Sequence, residues 1–359
     1  MVQVENPHMK LNTRDEKQII IERMDWIDTM KFLGILAIYI GHFYQASGKL
    51  YPFVFMYHVP LFFFISGFFS SLTDFKFNPH FLVKKFKRLM VPYFIFAFIN
   101  LALIAVNKNY DTESILKSIY EIICGIRNTP AVGTIWFINC LFVIIVIDYI
   151  TYTLIKNRTL VLIIALAVHF YTQLLMPHNP LSAPKWFMNI DSALAYWWLL
   201  ASGRQFFPIL KKSINTYNKL LPICIFIATG VFTAYALFNS QFINQYIIST
   251  YMPNLSKINI VNIINNDIGI LIIILFNAFL AKRLSRINLL KNMGKNTLNI
   301  CGFEMGTKLL ISTAIMIPGL RLLLPTPLSA VLYSSICVIF AHHITTYLSA
   351  KFPSIFSIR

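Results

Sequence analysis

The residues best suited to chemistry lie in the first hundred positions. In DTMKFLGILAIYIGHF (28–43), Lys31 and His42 bracket an apolar run. If that run is helical, their spacing returns them to nearly the same face, about 16 Å apart along the axis. One face then carries a cation near one membrane surface and an imidazole in the opposite half. A second apolar stretch, YHVPLFFFISGFF, brings His58 two residues ahead of Pro60. If it runs in the reverse direction, His58 sits at the depth of His42. Imidazole titrates near neutrality and is the commonest general base, so the pair suggests proton transfer at one level of the bilayer. The plainer reading is that Lys31 snorkels to the headgroups and His42 closes the end of its helix. Two histidines without a nearby carboxylate make a weak zinc pattern, and no metal is expected.

Further polar groups fall inside apolar runs, where they are costly and commonly functional. Asp148, His169, Asp191, Asp267, Glu304 and Lys308 are of this kind. Asp191 and Asp267 are expected toward the outer side, where either could orient a histidine or help an oxyanion, and Glu304 is a third candidate. Lys308 follows Glu304 by one helical turn, which predicts an ion pair between them. Trp136 and Phe137, in TIWFINCLF, read as an interfacial aromatic anchor. Asn139 reads as a helix–helix hydrogen bond. The basic run FLVKKFKRLMVPYF places Lys87 and Arg88 just ahead of Pro92, which is expected to start the next helix. Such clusters commonly hold lipid headgroups, and Arg and Lys equally suit the phosphates of a cytosolic donor.

The elements that position these groups follow from composition. Apolar residues make up 57% of the 359 and charged residues 13%, with Phe alone contributing 32. A soluble domain needs far more polar surface, so the fold class is an all-α polytopic membrane helix bundle. Ten spans are expected, at 27–46, 53–72, 91–107, 133–155, 159–176, 187–207, 219–239, 259–281, 296–316 and 327–349. The excess of Lys and Arg, +17 in net charge, is not spread as a nucleic-acid surface. It lies in alternate connections: one side collects 22 basic residues and the other seven, with Lys31 and Lys308 inside helices. Basic residues gather on the cytoplasmic side, so both termini are expected there, in the cell membrane. The chain then divides into a cytoplasmic arm (1–26), one membrane domain (27–349) and a cytoplasmic tail (350–359). The first 22 residues are polar, so no cleaved signal is expected. The five scattered cysteines read as buried packing residues.

Taken together, these stretches resemble the acyltransferase-3 family of integral membrane acyltransferases, in particular its fucose 4-O-acetylase-like branch. The matching segments are RMDWIDTMKFLGILAIYIGHF (23–43), FMYHVPLFFFISGFF (55–69), FLVKKFKRLMVPYF (81–94), TIWFINCLF (134–142) and, more loosely, MGKNTLNI (293–300). The resemblance implies a ten-helix enzyme that moves an acetyl group from cytosolic acetyl-CoA to a sugar hydroxyl of a surface or secreted bacterial polysaccharide, such as a capsule. It implies that Lys31, Lys87 and Arg88 bind the acyl-CoA, that His42 and His58 are catalytic, and that Trp136 and Phe137 contact substrate. His42 would act as base or carry the acetyl group transiently. The expected partners are membrane lipid, acetyl-CoA and a glycan acceptor, lipid-linked or free. Relatives often carry a histidine after the GKNTL-type stretch; this chain reads CGFE there, with Glu304 as the substitute or a structural residue. The rival reading is a transporter or exporter of a glycan using the same buried groups. Against it, no internal repeat is visible and the histidines and cations cluster in the first 94 residues.

Overall fold

The computed structural model describes residues 24–70, 78–216, 220–244, 259–316 and 326–353. The N-terminal arm up to residue 23 and the last six residues of the tail lie outside them. The described residues are helical, with turns and 3-10 segments between helices and no strand. The helices are α1 (Asp25–Gly41), α2 (Leu50–Ser70), α3 (Pro79–Lys108), α4 (Thr112–Cys124), α5 (Trp136–Ile155), α6 (Arg158–Leu174), α7 (Ile190–Asn215), α8 (Leu220–Phe238), α9 (Ile260–Leu284), α10 (Asn288–Lys295), α11 (Thr297–Gly302), α12 (Glu304–Met316) and α13 (Leu328–Lys351). Six are long and apolar enough to cross a membrane: α2, α3, α5 with its preceding 3-10 turn, α8, α9 and α13. The chain is a multi-pass membrane protein.

Each of the ten expected spans overlaps a helix, but four boundaries differ in ways that matter for function. The first span is shorter than expected. It ends at Gly41, His42 is its C-cap, and a 3-10 turn (Tyr44–Ser47) folds back with Ser47 Oγ donating to Ile40 O. The third helix does not begin at Pro92. It begins at Pro79, capped by Asn78, whose side chain accepts from His80 N, and Pro92 lies inside it. An internal proline removes only its own bond to the carbonyl four residues back, a loss membrane helices tolerate. The basic run is therefore helical and projects over three turns. The sixth span starts at Ile190, because Met188 and Asn189 hold left-handed backbone that a helix cannot contain. The ninth span is broken into α11 and α12, with the short α10 just before it.

At the centre of the bundle, α1 is packed against α2, α9, α10 and α13, and α2 against α7. The α2–α7 crossing is set by glycine. A Cβ on Gly67 would lie 2.1 Å from Leu200 O, and one on Gly203 would lie 1.9 Å from Phe64 O. The two backbones touch, as small residues permit in membrane helices. On the other side of α1, a Cβ on Gly294 would meet Asp28 O at 1.8 Å, and Tyr39 Oη donates to Ile300 O at 2.7 Å. The MGKNTLNI stretch thus lies directly against the first helix. The periphery has the opposite character: on α8, Leu220, Leu221, Val231 and Phe238 are exposed, an apolar surface suited to lipid. Cys140, Cys301 and Cys337 are buried as expected of packing residues, Cys124 is partly covered, and Cys224 is exposed on α8.

Because the Gly203 contact is backbone against backbone, nothing soft can move aside. Gly203→Val is expected to destabilise the bundle by about 1–3 kcal/mol or more. Gly306→Ala, whose Cβ would meet only a Leu103 side chain at 3.6 Å, should stay within about 0.5 kcal/mol of wild type. Thermal unfolding of the detergent-solubilised protein separates the two.

Candidate functional site

The end of α1 delivers His42 into the bundle at the place where the ninth span breaks. Phe303 interrupts the helix between α11 and α12, and Gly302 is pressed on the Phe96 ring, fixing the break. Glu304 thereby starts α12 facing α1, with Oε1 3.3 Å from His42 Nδ1. The two face each other as an ion-pair contact without hydrogen-bond geometry, and neither atom has a hydrogen-bond partner among the described residues. The Glu304 side chain is 4% exposed and that of His42 16%. A carboxylate on the Nδ1 side favours the tautomer protonated there, which would leave Nε2 of His42 as the basic nitrogen, suited to taking a proton from a substrate.

His58 stands across a small pocket from it. Its Nδ1 lies 2.6 Å from Val54 O, so Nδ1 donates to the carbonyl and Nε2 is again the acceptor. The Phe55 ring packs edge-on between the two imidazoles, 6.1 Å from His42 and 4.9 Å from His58. The rest of the lining includes Arg127, Thr134, Trp136, Phe137 and Tyr196.

Arg127 is the residue of this pocket that the sequence reading did not single out. It follows α4, in the connection to α5, and two bonds hold the loop before it: Gly125 O accepts from Asn189 Nδ2 at 2.7 Å and from Asn139 Nδ2 at 3.4 Å. Arg127 Nη1 donates to Leu181 O at 2.7 Å, and the guanidinium lies over the Trp136 ring at 3.7 Å. Its buried Nε has no partner among the described residues. A stacked arginine with a spare donor next to a basic imidazole can bind an oxyanion or a hydroxyl. The signal available in the sequence was an arginine ahead of TIWF on the side where cations are scarce.

A second pocket opens at the end of the bundle that carries the basic run. It is lined by Ser66 and Phe69 of α2, Phe81, Lys85 and Arg88 of α3, Leu141, Ile145, Tyr149 and Tyr152 of α5, and Leu200 of α7. Beneath it lies a buried ion pair. Asp148 accepts from Arg204 Nη1 and from Trp197 Nε1 at 3.0 Å, and the Arg204 guanidinium covers the Tyr152 ring at 4.3 Å. The faces of α2, α5 and α7 that line this pocket continue to the histidine pocket one or two turns further. Between the two, the Phe62 and Phe137 rings meet at 5.4 Å.

The groups expected to act together are therefore partly together and partly apart. His42, His58, Trp136 and Phe137 line one pocket. Arg88 lines the second pocket, with Lys85 as its neighbour there, whereas Lys87 is exposed and not part of that lining. Lys31 is ion-paired with Asp28 at 2.7 Å. Asp191 and Asp267 do not orient His42 or His58, because both carboxylates are committed elsewhere. Asp191 accepts from His178 Nε2 at 2.8 Å and from the backbone of Lys185 and Trp186, organising the loop that supplies Leu181 O. Asp267 meets His169 Nε2 at 3.2 Å. Glu304 faces His42, and Lys308, its expected partner, lies instead over the Tyr44 ring at 4.8 Å.

A sequence profile described as an acyltransferase domain matches residues 24–300, more than half of the chain. The chain belongs to the acyltransferase-3 family. Comparison with curated proteins finds no match, and neither does comparison with solved structures. Membership makes it a membrane acyltransferase. In this acyltransferase the matched segment contains His42, His58, Arg127 and Trp136 but stops four residues short of Glu304, whose place beside His42 rests on geometry alone.

The Asp148–Arg204 pair gives a structural prediction. Losing one partner of a buried pair leaves an uncompensated charge, so Arg204→Met should cost about 3–5 kcal/mol. The double variant Asp148→Leu/Arg204→Met is expected to recover most of that loss. A thermal-melt double-mutant cycle in detergent measures both.

Proposed function

We propose that the protein is a membrane O-acetyltransferase that moves an acetyl group from cytosolic acetyl-CoA to a sugar hydroxyl of a surface or secreted polysaccharide, as the fucose 4-O-acetylase-like branch does. The observation that carries the reading is the pocket in which His42, backed by Glu304, faces His58, Arg127 and Trp136. The framework is ten spans in the cell membrane with both termini cytoplasmic, supported by the alternation of basic connections. In that orientation the histidine pocket is in the outer half and the Lys85–Arg88 pocket at the cytoplasmic face.

The donor's phosphates bind at Lys85 and Arg88, where a cation fork and a point charge meet at one pocket mouth. Lys31, neutralised by Asp28, contributes less. The pantetheine arm runs along the α2–α5–α7 faces toward Phe62 and Phe137. From Phe137 to Tyr149 along α5 is about 18 Å, a span an extended arm can cover. His42 Nε2 takes the proton of the acceptor hydroxyl as its oxygen attacks the thioester carbonyl. Glu304 stabilises the imidazolium that forms. The tetrahedral oxyanion is held by the spare Nε–H of Arg127, and the Trp136 stack keeps the guanidinium in place. When the C–S bond breaks, the CoA thiolate leaves and recovers the proton from His42. His58 Nε2, an acceptor, orients the incoming hydroxyl.

Membranes containing the wild type, supplied with radiolabelled acetyl-CoA, should incorporate label into glycan. His42→Ala should lower incorporation by about 10²–10⁴-fold with protein level unchanged. Glu304→Gln should lower it by about tenfold or more, as expected of a group that acts through the imidazole. Equal incorporation by His42→Ala would remove His42 as the base.

Donor binding gives an independent check. A charge-assisted hydrogen bond contributes about 1.5–3 kcal/mol. Arg88→Ala should therefore raise the KM for acetyl-CoA about tenfold or more, and Lys31→Ala should raise it less. The reverse order would move the phosphate site to α1.

A further inference from the structure

A third concave site lies next to the histidine pocket and takes no part in the chemistry above. It is a groove between α2, α6, α7 and α9, lined by His169, Gln173, Tyr196, Trp198, Asn266 and Asp267. Tyr196 lines both this groove and the histidine pocket. Leu181, another groove residue, supplies the carbonyl that holds Arg127. The two sites thus share a wall and an anchor.

The polar groups here are fixed in place. His169 Nδ1 lies 2.7 Å from Ala195 O and donates to it, which directs Nε2 at Asp267 Oδ2, 3.2 Å away. The imidazole packs on the Trp198 ring at 5.3 Å. The Nε2–Oδ2 contact takes one proton, carried by the imidazole or by the carboxyl, and leaves Asp267 Oδ1 at the groove wall, its side chain still 15% exposed. Opposite in character, the Gln173 Nε2 donor is buried with no hydrogen-bond partner among the described residues. A buried amide donor without a partner is costly, and a ligand hydroxyl would satisfy it. A carboxylate acceptor, two side-chain amides and two aromatic rings around one groove form a set that pairs with vicinal hydroxyls and packs on an apolar ring face. With that shared proton His169 and Asp267 add no net charge, and no other charged side chain is in the groove lining, so the site suits an uncharged ligand.

From this arrangement we propose that the groove is a binding subsite for an uncharged sugar ring, which presents a hydroxyl past Tyr196 to His42. The inference rests on the acyltransferase reading for its purpose, but binding itself does not require catalysis.

The test is photoaffinity labelling of the solubilised full-length protein with a diazirine-bearing methyl glucoside, with and without excess methyl glucoside. Label is expected on peptides spanning Tyr196–Leu199 or Ile263–Ile270, displaced by the competitor. Gln173→Leu and Asp267→Asn should each reduce it at least fivefold while remaining monodisperse in gel filtration. Val106→Ala, on the exposed surface of α3, should label as wild type. Asn266→Ala replaces either variant that fails to remain monodisperse. Label absent from these peptides, or undiminished from wild type in both groove variants, overturns the subsite. Acetyl-CoA consumption by the wild type is read in parallel. Consumption without specific label overturns the subsite alone, and specific label without consumption retains it while removing the acetyltransferase reading.

Discussion

The contact on which the arrangement depends is the crossing of α2 and α7, where Gly67 and Gly203 let two backbones touch. Lipid tails are as apolar as leucine, so helices gain little by leaving them; close packing and polar pairs must hold the bundle. The crossing supplies the packing, and one residue later Arg204 supplies the polar pair, reaching Asp148 on α5. Three helices are thus fixed in register at one level. Everything above that level inherits the register. Tyr196 falls beside the histidine pocket, Leu200 beside the Lys85–Arg88 pocket, and the Phe62–Phe137 contact between them.

The first helix is held by different means, and the difference explains the shape of the site. Its near end is pressed by Gly294 and by the Lys291–Asp25 pair, and its last turn is pinned by Tyr39 to Ile300. Its far end stops short of a full span, so His42 is a cap residue at the mouth of a broken helix pair and is not one more ring on a helix face. The interruption at Phe303 matters equally, because a continuous helix from 297 onward would give Glu304 a different direction. Two helix breaks meet, and a carboxylate and an imidazole face each other where neither helix alone would aim them. Breaks in membrane helices are tolerated where protein surrounds them, which is the situation here.

Much of this was legible in the sequence. The all-helical fold, the six apolar helices and the meeting of His42, His58 and TIWF at one pocket follow from hydropathy, helical rise and motif order, all of which are local or additive along the chain. The losses are equally instructive. Asp191 and Asp267 were plausible partners for any outer histidine, and depth alone could not tell which. His178 and His169 took them because α6, α7, α9 and the 178–191 loop are neighbours, a fact of tertiary packing. Lys308 sits one turn from Glu304, yet helix spacing gives a chance of contact and not a direction. Pro92 resembled a helix start because a proline fits there, but an internal proline in a membrane helix fits as well. Arg127 was invisible for a plainer reason: it lies in an irregular connection with no period to read, and its position depends on Gly125, Asn139, Asn189 and Leu181 from separate parts of the chain.

The geometry also bears on how an acyl group could cross a bilayer without a transporter. On the proposed reading, neither substrate crosses. The donor's charged end stays at Lys85 and Arg88, its arm enters along α2, α5 and α7, and the acceptor approaches from the other side past Tyr196. Only the thioester carbonyl has to pass the Phe62–Phe137 contact, and an acetyl group is small and uncharged enough to do so at little desolvation cost. A transporter needs two alternating openings around one site, which requires whole helices to rock. Here the α2–α7 backbone contact and the buried Asp148–Arg204 pair lie beside the Lys85–Arg88 pocket, and such rocking would have to break them. The same rigid crossing that resists alternation favours a fixed pair of vestibules, and it gives a physical reason to prefer transfer across the membrane over transport through it.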